Sequence, residues 1–205
     1  MAHVTLIRPS YTVPKSAIVA TDAFKVTIGI AYLAGALVKA GHEVFVIDSL
    51  GEAPDCYSEF EEEFLIRGLT NAEVLKKIPA HTDVIGISCM FVTDWAHNKT
   101  LIHEISEKFN NKLIVIGGEQ ASSTFEHVLT TTPADIVVVG EGEERGTQHP
   151  GERHMIIRLV QHPAEIHDVV NVMHIHDKPA HLFGNLGLSF AHVLNNIRHH
   201  CADLD

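Results

Sequence analysis

The chain lacks several features that mark well-known classes of protein. It has only three cysteines, Cys56, Cys89 and Cys201, far apart and without a C-x-x-C pair, so neither a cysteine zinc site nor a disulfide framework is predicted. No apolar run reaches the roughly 18 residues of a membrane span. The amino-terminal residues have no basic flank followed by a long apolar core. We therefore expect a protein of the cytosol, with no membrane span and no signal peptide.

Positive charge is also scarce. The chain has 15 lysines and arginines against 26 acidic residues, a formal net charge of -11, which argues against a nucleic-acid backbone as a partner. Its 205 residues, of which 45% are apolar and 20% charged, can bury a sizeable core. One domain, or one domain with an appendage, is expected.

Common nucleotide-binding motifs are missing as well. No G-x-x-x-x-G-K-[ST] sequence occurs, which excludes a P-loop nucleotidase. The glycines of 140–146 follow the fifth apolar run rather than the first, and the glutamates among them would repel a pyrophosphate. A phospho-receiver would need carboxylates where this chain has Arg8 and Ser88.

What the chain does have is an alternation of short apolar runs and longer amphipathic stretches, which is typical of repeated strand-helix-strand units. Strands are predicted at 4–7, 43–47, 83–88, 113–117 and 135–139, and helices at 27–40, 72–78, 94–109 and 122–130. The last three strands are nearly continuous apolar runs, so helices should cover both faces of the sheet. We predict a three-layer α/β fold with a five-stranded parallel sheet, flavodoxin-like or Rossmann-like, over residues 1–144.

The sequence changes in character after Glu144. Ten of the sixteen histidines follow it, and the strand-helix rhythm weakens, so residues 145–205 are predicted to form a separate appendage with a helix at 186–200. His174 and His176 would point to one side of an extended segment and are the candidate ligands of a transition-metal site there. Solvated histidines, or a tail that docks on another protein, are the alternatives.

Small residues end three of the predicted strands. They form the turns Ser88-Cys89-Met90, Gly117-Gly118-Glu119 and Gly140-Glu141-Gly142-Glu143. The carboxyl ends of parallel strands line one crevice, where small residues leave room for a flat ligand. The function is therefore expected at this edge, and the long connection from Ser10 to Lys25 is expected to cover a ligand there.

These turns, in this order, carry a resemblance. Three runs resemble the N-terminal cobalamin (B12)-binding domain of B12-dependent radical S-adenosylmethionine enzymes. They are Ile85-Gly86-Ile87-Ser88-Cys89-Met90-Phe91, Ile116-Gly117-Gly118-Glu119 and Val139-Gly140-Glu141-Gly142-Glu143. The first strand and helix of that domain have counterparts here as well. They resemble the opening Leu6-Ile7-Arg8-Pro9, the run Gly29 to Ala34, and Ala40-Gly41-His42-Glu43-Val44. The likeness covers about residues 3–144.

The resemblance implies cobalamin as the cofactor and a set of residues that contact it. Ser88 would bind the nucleotide tail or corrin amides, Met90 would pack on the ring, and Glu119 would accept a hydrogen bond. The full set of implied contacts is Pro9, Ser10, Ser88, Cys89, Met90, Gly117, Gly118 and Glu119. Structural roles stay open, because a serine that ends a strand also serves as a helix N-cap and Gly-Gly also forms a tight turn.

Two departures from the family limit what is carried over. No Asp-x-His occurs in the chain, so cobalt would have no protein histidine below it, and Gln120 stands where relatives often have histidine. The three cysteines cannot supply the C-x-x-x-C-x-x-C set of a [4Fe-4S] cluster. The chain is therefore expected not to be catalytic alone, but to hold cobalamin for methyl transfer or related radical chemistry by a separate radical SAM domain or subunit.

Overall fold

The computed structural model describes residues 1–17 and 28–139, and the backbone of the strand at 157–159. Two 3-10 turns, Lys15–Ala17 and Val92–Asp94, accompany the regular elements. In chain order these are β1 (His3–Arg8), β2 (Tyr11–Pro14), α1 (Ile28–Lys39), β3 (Glu43–Asp48), α2 (Ser49–Glu52), β4 (Tyr57–Glu61), β5 (Phe64–Arg67), α3 (Asn71–Lys77), β6 (Val84–Ser88), α4 (Trp95–Lys108), β7 (Leu113–Gly117), α5 (Glu119–Ser123), α6 (Phe125–Thr131), β8 (Ile136–Val138) and β9 (Ile157–Leu159).

Five parallel strands form the main sheet in the order β3-β1-β6-β7-β8. By order of appearance along the chain this is 2-1-3-4-5, the flavodoxin-like arrangement. The predicted α/β fold with a five-stranded parallel sheet is confirmed.

Helices cover both faces of this sheet, as the continuous apolar runs predict. Side chains alternate between two cores: Ile85, Ile87 and Ile116 face the cluster shared with α4, α5 and α6, whereas Val84 and Val115 face the cluster shared with α1. The sheet is therefore the middle of three layers, and the loops after its parallel strands meet at its carboxyl edge.

Three of the predicted helices are confirmed with small changes in their bounds. Helix α1 buries Ile30 and Leu37, and Gly41, at φ +86°, follows its end in the left-handed region that glycine tolerates. Helix α3 begins with a capping box, in which Thr70 accepts from the amide of Glu73 and the Glu73 carboxylate accepts from that of Thr70. Helix α4 buries an apolar stripe of Leu101, Ile102 and Ile105.

The single helix predicted at 122–130 is wrong, because two short helices, α5 and α6, occupy this region and meet at Thr124. The hydroxyls of Ser122, Ser123 and Thr124 each donate to the backbone carbonyl four residues earlier. Such side-chain bonds compete with regular helical hydrogen bonding and bend the backbone.

A second sheet was not predicted. Strands β2, β5 and β4 form an antiparallel three-stranded sheet, in which Tyr11 pairs with Arg67 and Arg67 with Tyr57. The acidic side chains of residues 59–63 are exposed, so this run is a solvated face.

Part of the predicted appendage touches the main sheet. The backbone of β9 pairs antiparallel with β8 and adds a sixth strand at the edge. The rest of 145–205, including His174, His176 and the predicted helix at 186–200, lies outside the described residues, and the domain boundary at 144 stays a prediction. None of the helices within the described part of the chain is long and apolar enough to cross a membrane.

Helix α4 buries a histidine, which makes stability depend on pH. His97 is 4% exposed and its ring meets Phe60 of the small sheet edge to face, with 5.7 Å between centroids. Burial lowers the pKa of His97 from 6.5 to about 4. The unfolded chain therefore binds this proton more readily than the folded one, and stability present above pH 6.5 is lost as the pH falls towards 4.

We expect the substitution His97→Gln to remove most of this pH dependence, which amounts to about 3 kcal/mol across the window. Urea unfolding at pH 7 and at pH 4.5 measures it, and His103→Gln, an exposed histidine on the same helix, is the matched control. Asp94, whose pKa burial raises, acts in the opposite direction in all three proteins. An equal loss of stability in wild type and His97→Gln would contradict the expectation.

Candidate functional site

The loops after β1 and β6 enclose a small depression at the carboxyl edge of the main sheet. These two strands are neighbours, but the chain leaves β1 towards β3 on one side and continues from β6 towards β7 on the other. This is the topological switch point, where α/β sheets bind ligands. The depression is lined by Arg8, Pro9, Ser10, Tyr11, Ser88, Met90, Asp94 and Asn98.

Arg8 provides a fixed positive charge beside the depression. The residue is 2% exposed; its Nη1 lies 3.2 Å from Oδ1 of Asp48, at the end of the neighbouring strand. Its Nη2 donates to the Tyr11 hydroxyl at 2.9 Å. The guanidinium thereby joins the ends of two strands to the first residue of the small sheet, and its charge is balanced by a carboxylate.

Asp94 joins the small sheet to the beginning of α4. It is 5% exposed, and its Oδ1 accepts a hydrogen bond of 2.9 Å from the backbone N–H of Thr12. Although Asp94 precedes α4 directly, its side chain makes no capping bond to that helix. Burial raises the pKa of this carboxyl, and the bond from Thr12 counteracts part of the rise.

Two polar groups at the depression have no partner among the described residues. Ser88 ends β6 half-buried, and its hydroxyl makes no hydrogen bond within the described part of the chain. Asn98 is 2% exposed and its Oδ1 is buried without a partner there. A buried polar atom without a hydrogen bond is costly, so the Asn98 oxygen is able to accept one from a ligand, as is the half-buried hydroxyl of Ser88. The alternative role of Ser88 as a helix cap is not seen, since Phe91 and Asp94 hold the cap positions.

The Cys89 side chain points away from the edge into the core. It is fully buried and packs in the core cluster shared with α4, α5 and α6. Burial, reinforced by the nearby charge of Asp94, raises the pKa of the thiol to about 12. The thiol therefore stays protonated, and only the backbone of Cys89 faces the neighbouring loop.

Gly118 is required by the protein itself. Its φ is +107°, and an added Cβ would collide with the carbonyl oxygen of Cys89 and lie 2.7 Å from its carbonyl carbon. The amide of Cys89 in turn donates to the carbonyl of Gly117 at 2.7 Å. The open role of Gly-Gly as a tight turn thus applies to Gly118, which lets the loops after β6 and β7 touch.

Gly117 has free space instead. A Cβ there would meet no atom closer than Val138 Cβ at 3.9 Å, so neither the fold nor its neighbours demand a glycine. Beside it, the loop after β6 exposes Met90, Phe91 and Val92. The edge therefore has no side chain above the end of β7 at Gly117. On the β6 side it is bounded by exposed apolar side chains, here called the Met90–Val92 wall.

The remaining predicted contacts are less uniform. Pro9 and Ser10 line the depression but are buried, and the Ser10 hydroxyl donates to the carbonyl of Leu69 at 2.6 Å. Glu119 is exposed at the first turn of α5. Gln120, by contrast, is 5% exposed and its Nε2 donates to Thr124.

Sequence reasoning missed Asp94 and Asn98 as candidates. Asn98 lies on the same helical stripe as Leu101, Ile102 and Ile105, and a polar residue on an otherwise apolar stripe is the signal that could have found it. The contact between Thr12 and Asp94 spans 82 residues and depends on the small sheet, so no local pattern indicates it.

The two glycines offer a matched pair of substitutions. We expect Gly118→Ala to destabilise the protein by about 2 kcal/mol or more, since alanine is strained at positive φ and its Cβ meets the Cys89 peptide. Gly117→Ala should change stability by less than about 1 kcal/mol. Urea denaturation of the three proteins tests this, and equal effects at both positions would refute the assigned contact.

Burial should also separate the cysteines by reactivity. Cys56 is exposed and Cys89 buried, so iodoacetamide at pH 8 should alkylate Cys56 quickly and Cys89 only after unfolding. Peptide mass spectrometry over time gives the rate for each site, with a sample in urea as the control. Similar rates for the two thiols in the folded protein would contradict the burial of Cys89.

Comparison with known proteins agrees with this geometry. No curated protein matches the sequence. A family model described as the B12 binding domain matches residues 16–147, a span that includes the loops after β6 and β7 but begins after the β1 loop on the other side of the depression. The match covers more than half of the chain, which therefore belongs to the B12 binding domain family.

Proposed function

We propose that this chain binds cobalamin at the carboxyl edge of its main sheet and serves as the cofactor-holding module of a radical SAM-type enzyme. The observation that carries the proposal is the glycine at position 117, where the fold leaves free space beside the partnerless hydroxyl of Ser88, its register neighbour on β6. Because the fold does not require glycine at position 117, the space left by the missing side chain is explained by a ligand that occupies it.

The residues at this edge suit the chemistry of cobalamin. A corrin is a broad, largely apolar disc that bears amide groups around its rim, so it needs apolar contact and a few hydrogen-bonding groups. Met90 and Phe91 are 40% and 44% exposed and supply apolar surface. Ser88, Asn98 and the exposed Glu119 supply oxygens that accept hydrogen bonds from amides.

The lower face of the cobalt is expected to receive no ligand from these loops. The segments from Pro9 to Lys25 and from Cys89 to Trp95 contain no histidine, and the Cys89 thiol is buried with its pKa raised to about 12. His97, which follows on α4, is buried with its ring against Phe60. The protein would thus hold cobalamin through its corrin and nucleotide tail.

Bound cobalamin would supply a cobalt centre able to accept and donate a methyl group. The chain's own residues would bind and orient the disc and shield one of its faces, with the Met90–Val92 wall on one side and Gly117 beneath. Its cysteines lack the spacing for an iron-sulfur cluster. We therefore assign the radical chemistry and methyl transfer to a separate catalytic domain or subunit, in line with the resemblance described above.

Titration with hydroxocobalamin tests the binding step. We expect corrin absorbance to co-elute with the full chain in gel filtration. Ser88→Ala should weaken binding about 2- to 10-fold, the value of one hydrogen bond, and Gly117→Val should weaken it more than about 10-fold, because its side chain takes the space of the disc. Ser58→Ala, a half-buried serine on β4, is the control.

Thermal unfolding of each variant shows that weakened binding does not come from misfolding. If cobalamin fails to co-elute with the wild-type chain, or if Gly117→Val binds it as tightly as wild type does, the proposed site is wrong.

A further inference from the structure

A second cluster of ligand-bearing side chains lies at the opposite, amino-terminal edge of the main sheet. His3, Glu43 and His81 each offer a nitrogen or oxygen atom, and these atoms all lie within 4.8 Å of one another. Nε2 of His3 is 3.4 Å from Oε2 of Glu43, and Nε2 of His81 is 3.8 Å from Oε1. One carboxylate thus faces two imidazole nitrogens.

The backbone of the sheet holds these residues in place. His3 and Glu43 are register partners on β1 and β3, and the amide of Glu43 donates to the carbonyl of Ala2 at 3.0 Å. His81 lies in the turn before β6, where the hydroxyl of the next residue, Thr82, hydrogen-bonds that of Thr5 at 2.8 Å. The cluster therefore requires no rearrangement of the main chain to form.

Asp83 orients the first histidine. Its Oδ2 accepts from the backbone amide of His3 at 2.9 Å and lies 3.2 Å from the Nδ1 of the same residue. A carboxylate at Nδ1 places the proton there and leaves the lone pair on Nε2, the arrangement found behind metal-bound histidines.

We propose that His3 Nε2, His81 Nε2 and a Glu43 carboxylate oxygen bind a zinc ion, with water in the fourth position. Two nitrogens and one oxygen at about 2.1 Å from zinc in a tetrahedron lie about 3.4 Å from one another. The His3–Glu43 separation of 3.4 Å already meets this value. The remaining pairs need side-chain rotations only, and the exposure of Glu43 and His81 leaves the room for them.

Zinc at this position would join three separate parts of the sheet. It would clamp the beginnings of β1 and β3 to the turn that leads into β6, which are three neighbouring strands of the main sheet with β3 at its edge. The alternative is an ion pair between Glu43 and protonated histidines, which predicts no affinity for metal. This proposal does not depend on cobalamin binding.

Footprinting of the histidines separates the two accounts in the full chain, despite the ten histidines beyond residue 144. Diethyl pyrocarbonate modifies free imidazoles, and peptide mass spectrometry reads each site. With one equivalent of zinc chloride after removal of metals by EDTA, modification of His3 and His81 should slow at least about 10-fold. His103 and His127, which are exposed on α4 and α6, should be unaffected.

Variants then identify the ligands. Glu43→Gln and His81→Gln should each abolish the protection of the remaining histidine of the cluster, and Asp83→Asn should weaken zinc binding about 10-fold in calorimetry, as expected for a residue that positions a ligand. His103→Gln is the matched control and should retain full protection. Equal reactivity of His3 and His81 with and without zinc, or protection that survives Glu43→Gln, would overturn the proposal.

Discussion

The contact between the peptide of Cys89 and the backbone of Gly118 is the constraint on which the carboxyl edge depends. The Cys89 amide donates to Gly117, and its carbonyl occupies the space that a side chain on Gly118 would take. The loops after β6 and β7 are therefore locked together, the thiol of Cys89 is turned into the core, and Met90 and Phe91 are turned outward. One close approach of two backbones thus fixes the positions of the loops that form the carboxyl edge.

The two edges of the sheet differ in chemistry although they share the same strands. At the carboxyl edge, the buried Arg8 is paired with the half-buried Asp48, and beside this pair lie glycine, exposed apolar side chains, the Ser88 hydroxyl and the exposed Glu119. At the amino edge, imidazoles and carboxylates stand partly exposed. A large organic cofactor suits the first surface and a small cation suits the second.

The main sheet could be predicted because each of its strands is a continuous apolar run with a polar or glycine end, a signal contained within a few residues. The turns at Ser88 and Gly117, which resemble those of the family, could also be predicted, because their residues follow one another directly in the sequence. The small sheet escaped because its pairing joins Tyr11 to Arg67, and because its outer strand β4 carries glutamates, which are uncommon in strands. Asp94 escaped for the same reason, since its partner Thr12 comes from that sheet.

The pairing of β1 with β6 has a consequence for how the protein acquires its shape. The contact between His3 and Asp83 bridges 80 residues, so the two strands at the centre meet only after most of the domain has been synthesised, and such non-local pairing is slow. Before that moment the cleft between their ends does not exist. A cofactor bound in that cleft would therefore have no part in the early steps of folding and would stabilise only chains that are already assembled.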